Sequence, residues 1–368
     1  MLDGCCIVRF PENKKGVGIY NVTFNNVHYC EYLGVRYATA ARFKDPVLYK
    51  PKYQEQYNRE GSICPQMNEL SYADSIHGDE DCLFLNIYGP QYDGKKAGFG
   101  GFPVLVFIHG GSFQLGSASF EFSGADLLVE KETIVITMNY RLSVLGFLHY
   151  PPYNITGNYG LKDQQAALKW INQYVKFFGG DPNRVTLMGQ SAGAAAVSYH
   201  LYSDRSRGLF QQAALLSGSF LAPWAYTYRP EYFAEQYFKA TGITSRQQLY
   251  DRNASDLIML NDSIGHTAPI FLYRFDFDGK FGMYKNDVIK SQLIDTRYGA
   301  VHGDDLGYIF NPYILREALN RKKNYQKEWM VHDRMSEMVA NFVKFGNPSL
   351  EDFQWTAYNA ESDQKQYA

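Results

Sequence analysis

The sequence predicts an α/β fold: a central, mostly parallel sheet flanked by helices, with an antiparallel N-terminal edge. Three observations carry that reading. Residues 104–108 and 134–138 are continuous apolar runs, the pattern of strands buried on both faces. Helix-like segments at 125–131 and 161–178 separate them from one another and from a third run at 185–188. Before Gly101, segments rich in aromatic and β-branched residues are broken by Gly, Pro and Asn, as antiparallel strands are.

Taken in order, residues 17–24, 27–35 and 83–88 supply the antiparallel edge. The strands at 104–108 and 134–138 follow, with the 125–131 helix between them. In the 161–178 helix, Leu161, Ala166, Leu168, Ile171 and Val175 fall inward, and Gly179-Gly180-Asp181-Pro182 stops it. The strand at 184–188 runs into an Ala-rich helix that begins at Ala192. Another strand at 212–216 ends at Ser217-Gly218-Ser219, an aromatic-rich helix covers 232–239, residues 256–262 form a short strand followed by a turn, and a last core strand occupies 270–275. No internal repeat is visible.

With 368 residues, 45% of them apolar, the chain can bury the core of one large domain or two ordinary ones. Its 36 Lys and Arg against 38 Asp and Glu leave a formal charge of −2, which excludes a nucleic-acid or anionic-membrane surface as the expected partner. Arg321-Lys322-Lys323 reads as a solvated helix face. No apolar run approaches the roughly 18 residues of a membrane span. Residues 1–10 lack a signal peptide's apolar stretch, yet sequons at Asn21, Asn154, Asn253 and Asn261 suit a secreted glycoprotein. An extracellular location is the expectation, with the true N-terminus outside this sequence. Five cysteines, Cys5, Cys6, Cys30, Cys64 and Cys82, all lie in the first quarter, as local disulfide staples do. No C-x-x-C or H-x-x-x-H pair exists, so neither a metal nor a cofactor is expected. The odd count leaves at least one thiol free or intermolecular, and the pairing of Cys5, Cys6 and Cys30 stays open.

Chemistry concentrates at Gly189-Gln190-Ser191-Ala192-Gly193. A bare G-x-S-x-G also marks ordinary turns, but here a strand precedes it and a helix follows, the context of a nucleophile elbow. A serine hydroxyl is a poor nucleophile at neutral pH and needs a general base, an acid to orient that base, and donors for the oxyanion. His109-Gly110-Gly111-Ser112-Phe113, just after a buried strand, offers backbone N–H groups with little side chain in the way. The N–H of Ala192 is the expected partner donor.

At these residues the chain resembles the type-B carboxylesterase family, which includes the cholinesterases and the insect juvenile hormone and detoxification esterases. Gly78 to Asn86 resembles its E-D-C-L-x-L-N signature, Gly157 to Gln164 its G-N-x-G-L-x-D-Q block, Phe178 to Pro182 its F-G-G-D-P block, and Arg42-Phe43 its early R-F. The resemblance covers nearly the whole chain and implies an α/β-hydrolase fold in a single domain over residues 1–368. It implies a Cys64–Cys82 disulfide, an oxyanion hole of Gly111, Ser112 and Ala192, and a catalytic His302 in the loop Gly299-Ala300-Val301-His302-Gly303-Asp304-Asp305. Chain order agrees, because α/β-hydrolases run nucleophile, acid, histidine, and His302 follows the last core strand. His332 also follows it, in a helix-like charged run that reads as surface.

Against the family pattern, Gln190 replaces a glutamate, as in juvenile hormone esterases, and Ser112 replaces the third glycine of the oxyanion turn. No tryptophan lies between Cys64 and Cys82 to hold a quaternary ammonium, so a choline ester is not the expected substrate. Trp224, after Ala222-Pro223, resembles an acyl-pocket wall or packs as simple core. The family's triad acid sits in a Glu-Gly turn between the strand ending near Ser217 and the strand at Ile270, and that stretch holds none here. Glu231, Glu235, Asp251, Asp256 and Asp262 stand in the corresponding stretch, and Asp262, in a turn after a short strand, is the best local substitute. The resemblance thus implies an internal deletion near 262–265 and a C-terminus shortened after Trp355. The expected function is carboxylic-ester hydrolysis through a serine acyl-enzyme, with a small-molecule ester as substrate and the oligomeric state open. The alternatives are a non-catalytic adhesion member of the family and an inactive product of exon skipping.

Overall fold

A computed structural model describes residues 6–67, 76–91, 100–119, 124–262, 306–310 and 326–354. Seven strands make the central sheet: β1 (Ile19–Val22), β2 (His28–Arg36), β3 (Phe84–Pro90), β4 (Phe102–Ile108), β5 (Ile134–Met138), β6 (Gly180–Gln190) and β7 (Gln212–Leu216). Their spatial order is β7-β6-β4-β5-β3-β2-β1. The pairs from β1 to β5 through β2 and β3 are antiparallel, and β5-β4, β4-β6 and β6-β7 are parallel. Parallel neighbours need crossovers, and helices supply them: α1 (Asp126–Glu130) between β4 and β5, α2 (Ser143–Phe147) and α3 (Tyr159–Tyr174) between β5 and β6, and α4 (Ala192–Tyr202) between β6 and β7.

The continuous apolar runs are explained by burial on both faces. Along β4, Val104, Val106 and Ile108 enter one core with Leu187 of β6 and Trp170 and Ile171 of α3. Leu105 and Phe107 enter the opposite core with Leu128 and Val129 of α1. Each such side chain contributes about 1.5–3 kcal/mol over its exposed state. Beyond Tyr174 the chain tightens into a 3₁₀ turn, Val175–Phe178, and Gly179 closes it at φ 86°, a left-handed conformation that costs glycine nothing.

Residues 17–24 do not form one strand. Lys15–Val17 joins a small ribbon with Ile7–Arg9 and Gln54–Gln56, and only Ile19–Val22 enters the main sheet. Gly18 is the break: a Cβ there would lie 2.4 Å from the Glu31 carbonyl oxygen, so two backbones touch at that point. The Cys6–Cys30 disulfide ties the ribbon to β2, and Cys64–Cys82 is the second bridge. Cys5 lies outside the described residues.

Helices α5 (Pro230–Thr241), α6 (Arg246–Asp251) and α7 (Ala254–Asp262) pack around a third cluster that includes Phe43, Leu145 and Tyr159. The expectation of a strand and turn at 256–262 is overturned. Asn253 Oδ1 accepts from the Asp256 N–H at 2.8 Å, an N-cap, and Ala254, Leu257 and Ile258 share one helix face on that cluster. Two more helices, α8 (Leu306–Ile309) and α9 (Gln326–Phe345), cover the second sheet face through Ile309, Phe310, Ala340 and Val343. The surface reading of His332 is also corrected. His332, Ser336, Ala340 and Val343 form the buried stripe of α9, and His332 Nδ1 donates to the Tyr308 carbonyl at 2.9 Å, joining α9 to α8. The expected strand at 270–275 and the Arg321-Lys322-Lys323 run lie outside the described residues. Among the described residues, no helix is long and apolar enough to cross a membrane.

Candidate active site

Strand β6 delivers Ser191 at the C-terminal edge of the sheet, and α4 begins at the next residue. Ser191 has φ 56° and ψ −122°, a backbone state L-residues seldom occupy, which costs of order 1–3 kcal/mol and is held by the surroundings. Its N–H donates to the Leu216 carbonyl of β7 at 2.8 Å, and its carbonyl accepts from Ala195 at 3.0 Å. The flanking glycines are steric necessities. A methyl at Gly193 would lie 2.1 Å from the Ile108 carbonyl oxygen, and one at Gly189 would lie 2.3 Å from that of Gly193. Gly218 has the same role after β7, with a methyl there 2.1 Å from the Ser191 carbonyl oxygen. Helix and strand therefore approach at backbone distance, and the hydroxyl is left half-buried with no hydrogen-bond partner among the described residues.

The turn after β4 abuts this elbow. A methyl at Gly110 would lie 3.0 Å from Ser191 Cβ and 2.6 Å from Gln190 Oε1. Ser112 and Phe113 both take positive φ, 54° and 61°, so the replacement of the third glycine retains the left-handed backbone at the cost of about 1–2 kcal/mol per residue. The Gly111 carbonyl accepts from the N–H groups of Gln114 (2.8 Å) and Leu115 (3.1 Å). The N–H groups of Gly111 and Ser112 find no acceptor among the described residues, and that of Ala192 precedes the first intrahelical acceptor of α4. Among the described residues these three donors have no acceptor, and the positive end of the α4 dipole lies behind that of Ala192.

His302 and its loop lie outside the described residues, as do the side chains of Asp262 and Asn261 and the segment 263–265. Asp262 itself is the last residue of helix α7, not part of a turn after a strand. Glu231, Glu235, Asp251 and Asp256 are exposed on α5 to α7, and Glu231 accepts from His149 Nε2 at 3.2 Å. Trp224 is half-buried in the turns after β7. Of the sequon asparagines, Asn154 and Asn253 are exposed, whereas Asn21 Nδ2 donates to Glu31 and Thr23 is buried.

Two residues around the turn escaped the sequence reading. Tyr140 is fully buried, its hydroxyl donates to the His109 carbonyl at 3.0 Å, and its ring stacks on that of His109 with centroids 4.4 Å apart. Gly116 lies against the same imidazole.

Comparison with known proteins gives one consistent family. The model described as "Carboxylesterase family" matches residues 17–252 and 252–368. Juvenile hormone esterase of Tribolium castaneum is 40% identical over 214 residues, 57% of this chain and 36% of that protein. A carboxylic ester hydrolase of Bombus ignitus is 39% identical over 242 residues, 62% of this chain and 42% of that protein. These matches span less than half the length of either relative. Among solved structures, juvenile hormone esterase from Manduca sexta with OTFP covalently attached superposes with a TM-score of 0.79 at 25% identity, over 95% of this chain and 91% of that one.

Proposed function

The chain belongs to the carboxylesterase family, and from that membership we propose that it hydrolyses small-molecule carboxylic esters through an acyl-enzyme on Ser191. The carrying observation is an elbow serine beside a turn, with the N–H groups of Gly111, Ser112 and Ala192 lacking acceptors among the described residues. Ser191 Oγ attacks the ester carbonyl, His302 takes the proton and returns it to the leaving alcohol, and Gly111, Ser112 and Ala192 hold the oxyanion. Water then releases the acyl group by the same steps in reverse. A covalent adduct on the Manduca sexta relative supports an acyl-enzyme route. Trp224 walls the acyl side. Two disulfides and the exposed sequons Asn154 and Asn253 support an extracellular location.

The proposal assigns no triad acid and reads the chain as one domain with an internal deletion. That the family model matches in two segments supports the deletion. Loss of the acid leaves the imidazole unoriented and lowers turnover by about 10⁴-fold. The exposure of Glu231, Glu235, Asp251 and Asp256 favours a second reading, a non-catalytic interaction member of the family.

One experiment separates the two. The esterase reading expects an organophosphate to label Ser191 and a p-nitrophenyl ester to be hydrolysed above a Ser191→Ala control. Absence of both ends it.

A further inference from the structure

We propose that His109 is a positioning residue that sets the direction of the Gly111 N–H by donating from Nδ1 to the Gly110 carbonyl. The contact is 2.8 Å. The Gly110 C=O and the Gly111 N–H belong to one trans peptide plane and point in opposite directions, so holding the carbonyl on the imidazole aims the N–H away from it. Neighbouring planes are held by other groups: the His109 carbonyl by the Tyr140 hydroxyl, the Gly111 carbonyl by Gln114 and Leu115. Only the middle plane depends on a side chain within the turn. With glycine on both sides, no Cβ of its own opposes its reversal.

The ring suits the role. A carbonyl oxygen only accepts, so the proton is on Nδ1 and Nε2 is bare, in keeping with a buried Nε2 that has no partner among the described residues. Burial pushes the imidazole down to about 4, so the ring stays neutral and its single proton is committed to Gly110. Tyr140 stacks on one side at 16°, and a Cβ at Gly116 would come within 2.2 Å of Nδ1, so the ring cannot turn.

This deepens the esterase reading, on which its catalytic consequence rests; the geometry is testable without activity. In the wild-type chain, ¹⁵N spectra of the imidazole should show a protonated Nδ1 and a bare Nε2. His109→Phe keeps the stack and loses the donor, and His109→Asn restores a donor near the Nδ1 position. The ³J(HN–Hα) couplings of Gly111, set by its φ of 98°, should change in folded His109→Phe as the plane reverses and stay near wild type in His109→Asn. In an active chain, kcat should fall about 10²–10³-fold in His109→Phe with KM nearly unchanged, and His109→Asn should recover most of it. An Nε2–H tautomer, or a folded His109→Phe with wild-type Gly111 couplings, overturns the proposal. Should His109→Phe not fold, the wild-type tautomer decides. A wild-type chain with the expected tautomer and Gly111 couplings but no labelling or hydrolysis retires the esterase reading and leaves the positioning role standing.

Discussion

Arg141 grips Asp163 through one edge of its guanidinium, Nε on Oδ2 and Nη2 on Oδ1 at 2.7 Å each, while its own N–H adds a third bond to Oδ2 at 3.1 Å. The Asp163 side chain is fully buried and that of Arg141 is 6% exposed. The pair joins the segment after β5 to the first turn of α3.

Removing one partner leaves a buried charge unmatched. Asp163→Ala should cost about 3–5 kcal/mol, whereas Arg141→Met with Asp163→Leu, which deletes both charges and keeps volume, should cost much less. Urea unfolding followed by circular dichroism measures both. Equal losses would mean that the site matters for packing alone.

Gly193→Ala should be far worse than its chemistry suggests. The added methyl meets the backbone carbonyl of Ile108 at 2.1 Å, so α4 must move off β4, at a cost of about 1–3 kcal/mol or more. Gly208 has open space but φ +78°, and its alanine variant should lose only about 1 kcal/mol with Ser191 labelling intact. Matched melting curves and organophosphate labelling test the contrast.

His200 should make stability depend on acid. Its Nε2 donates to Gln164 Oε1 at 3.0 Å, its Nδ1 accepts from Ser206 at 2.9 Å, and burial pushes it down to about 4 from 6.5. Between those values the unfolded chain holds a proton that the folded chain refuses. Stability therefore falls as pH drops from about 6.5 to about 4, by about 3 kcal/mol for this group, and levels off below. His109 and His332 are pushed down to about 4 as well and add to the slope. His200→Gln should reduce the proton uptake on unfolding at pH 5 by close to one. An unchanged slope of unfolding free energy against pH would refute the assignment.

Each disulfide closes a short loop, with separations of 24 residues for Cys6–Cys30 and 18 for Cys64–Cys82. Chain entropy puts each at about 3 kcal/mol. Replacing Cys6 and Cys30 together by serine should lower the unfolding free energy by that amount. A loss under about 1 kcal/mol would show that the ribbon is held by its hydrogen bonds instead.

The parallel centre of the sheet and the elbow were legible in the sequence because burial on both faces writes an unbroken apolar run, and backbone contact at Gly189 and Gly193 demands glycine. Helix α7 was not. Its apolar stretch is too short to show a period, and the Asn253 cap and the Phe43 cluster decide between helix and strand. His332 was misread because its buried stripe of His, Ser, Ala and Val is weakly apolar and is flanked by charge. The break at Gly18 and the partner of Cys6 depend on where the ribbon folds, which no local pattern records.

Ile108, the last residue of β4, pairs with Gly189 of β6 in parallel register. One strand leads directly into the Gly110-Gly111 turn and the other into Ser191, so both halves of the proposed site are mounted on adjacent rungs of one ladder. Such a mounting has no joint of its own to loosen on heating. Thermal inactivation should accordingly coincide with melting of the sheet as a single event, rather than precede it as the fraying of a loop would.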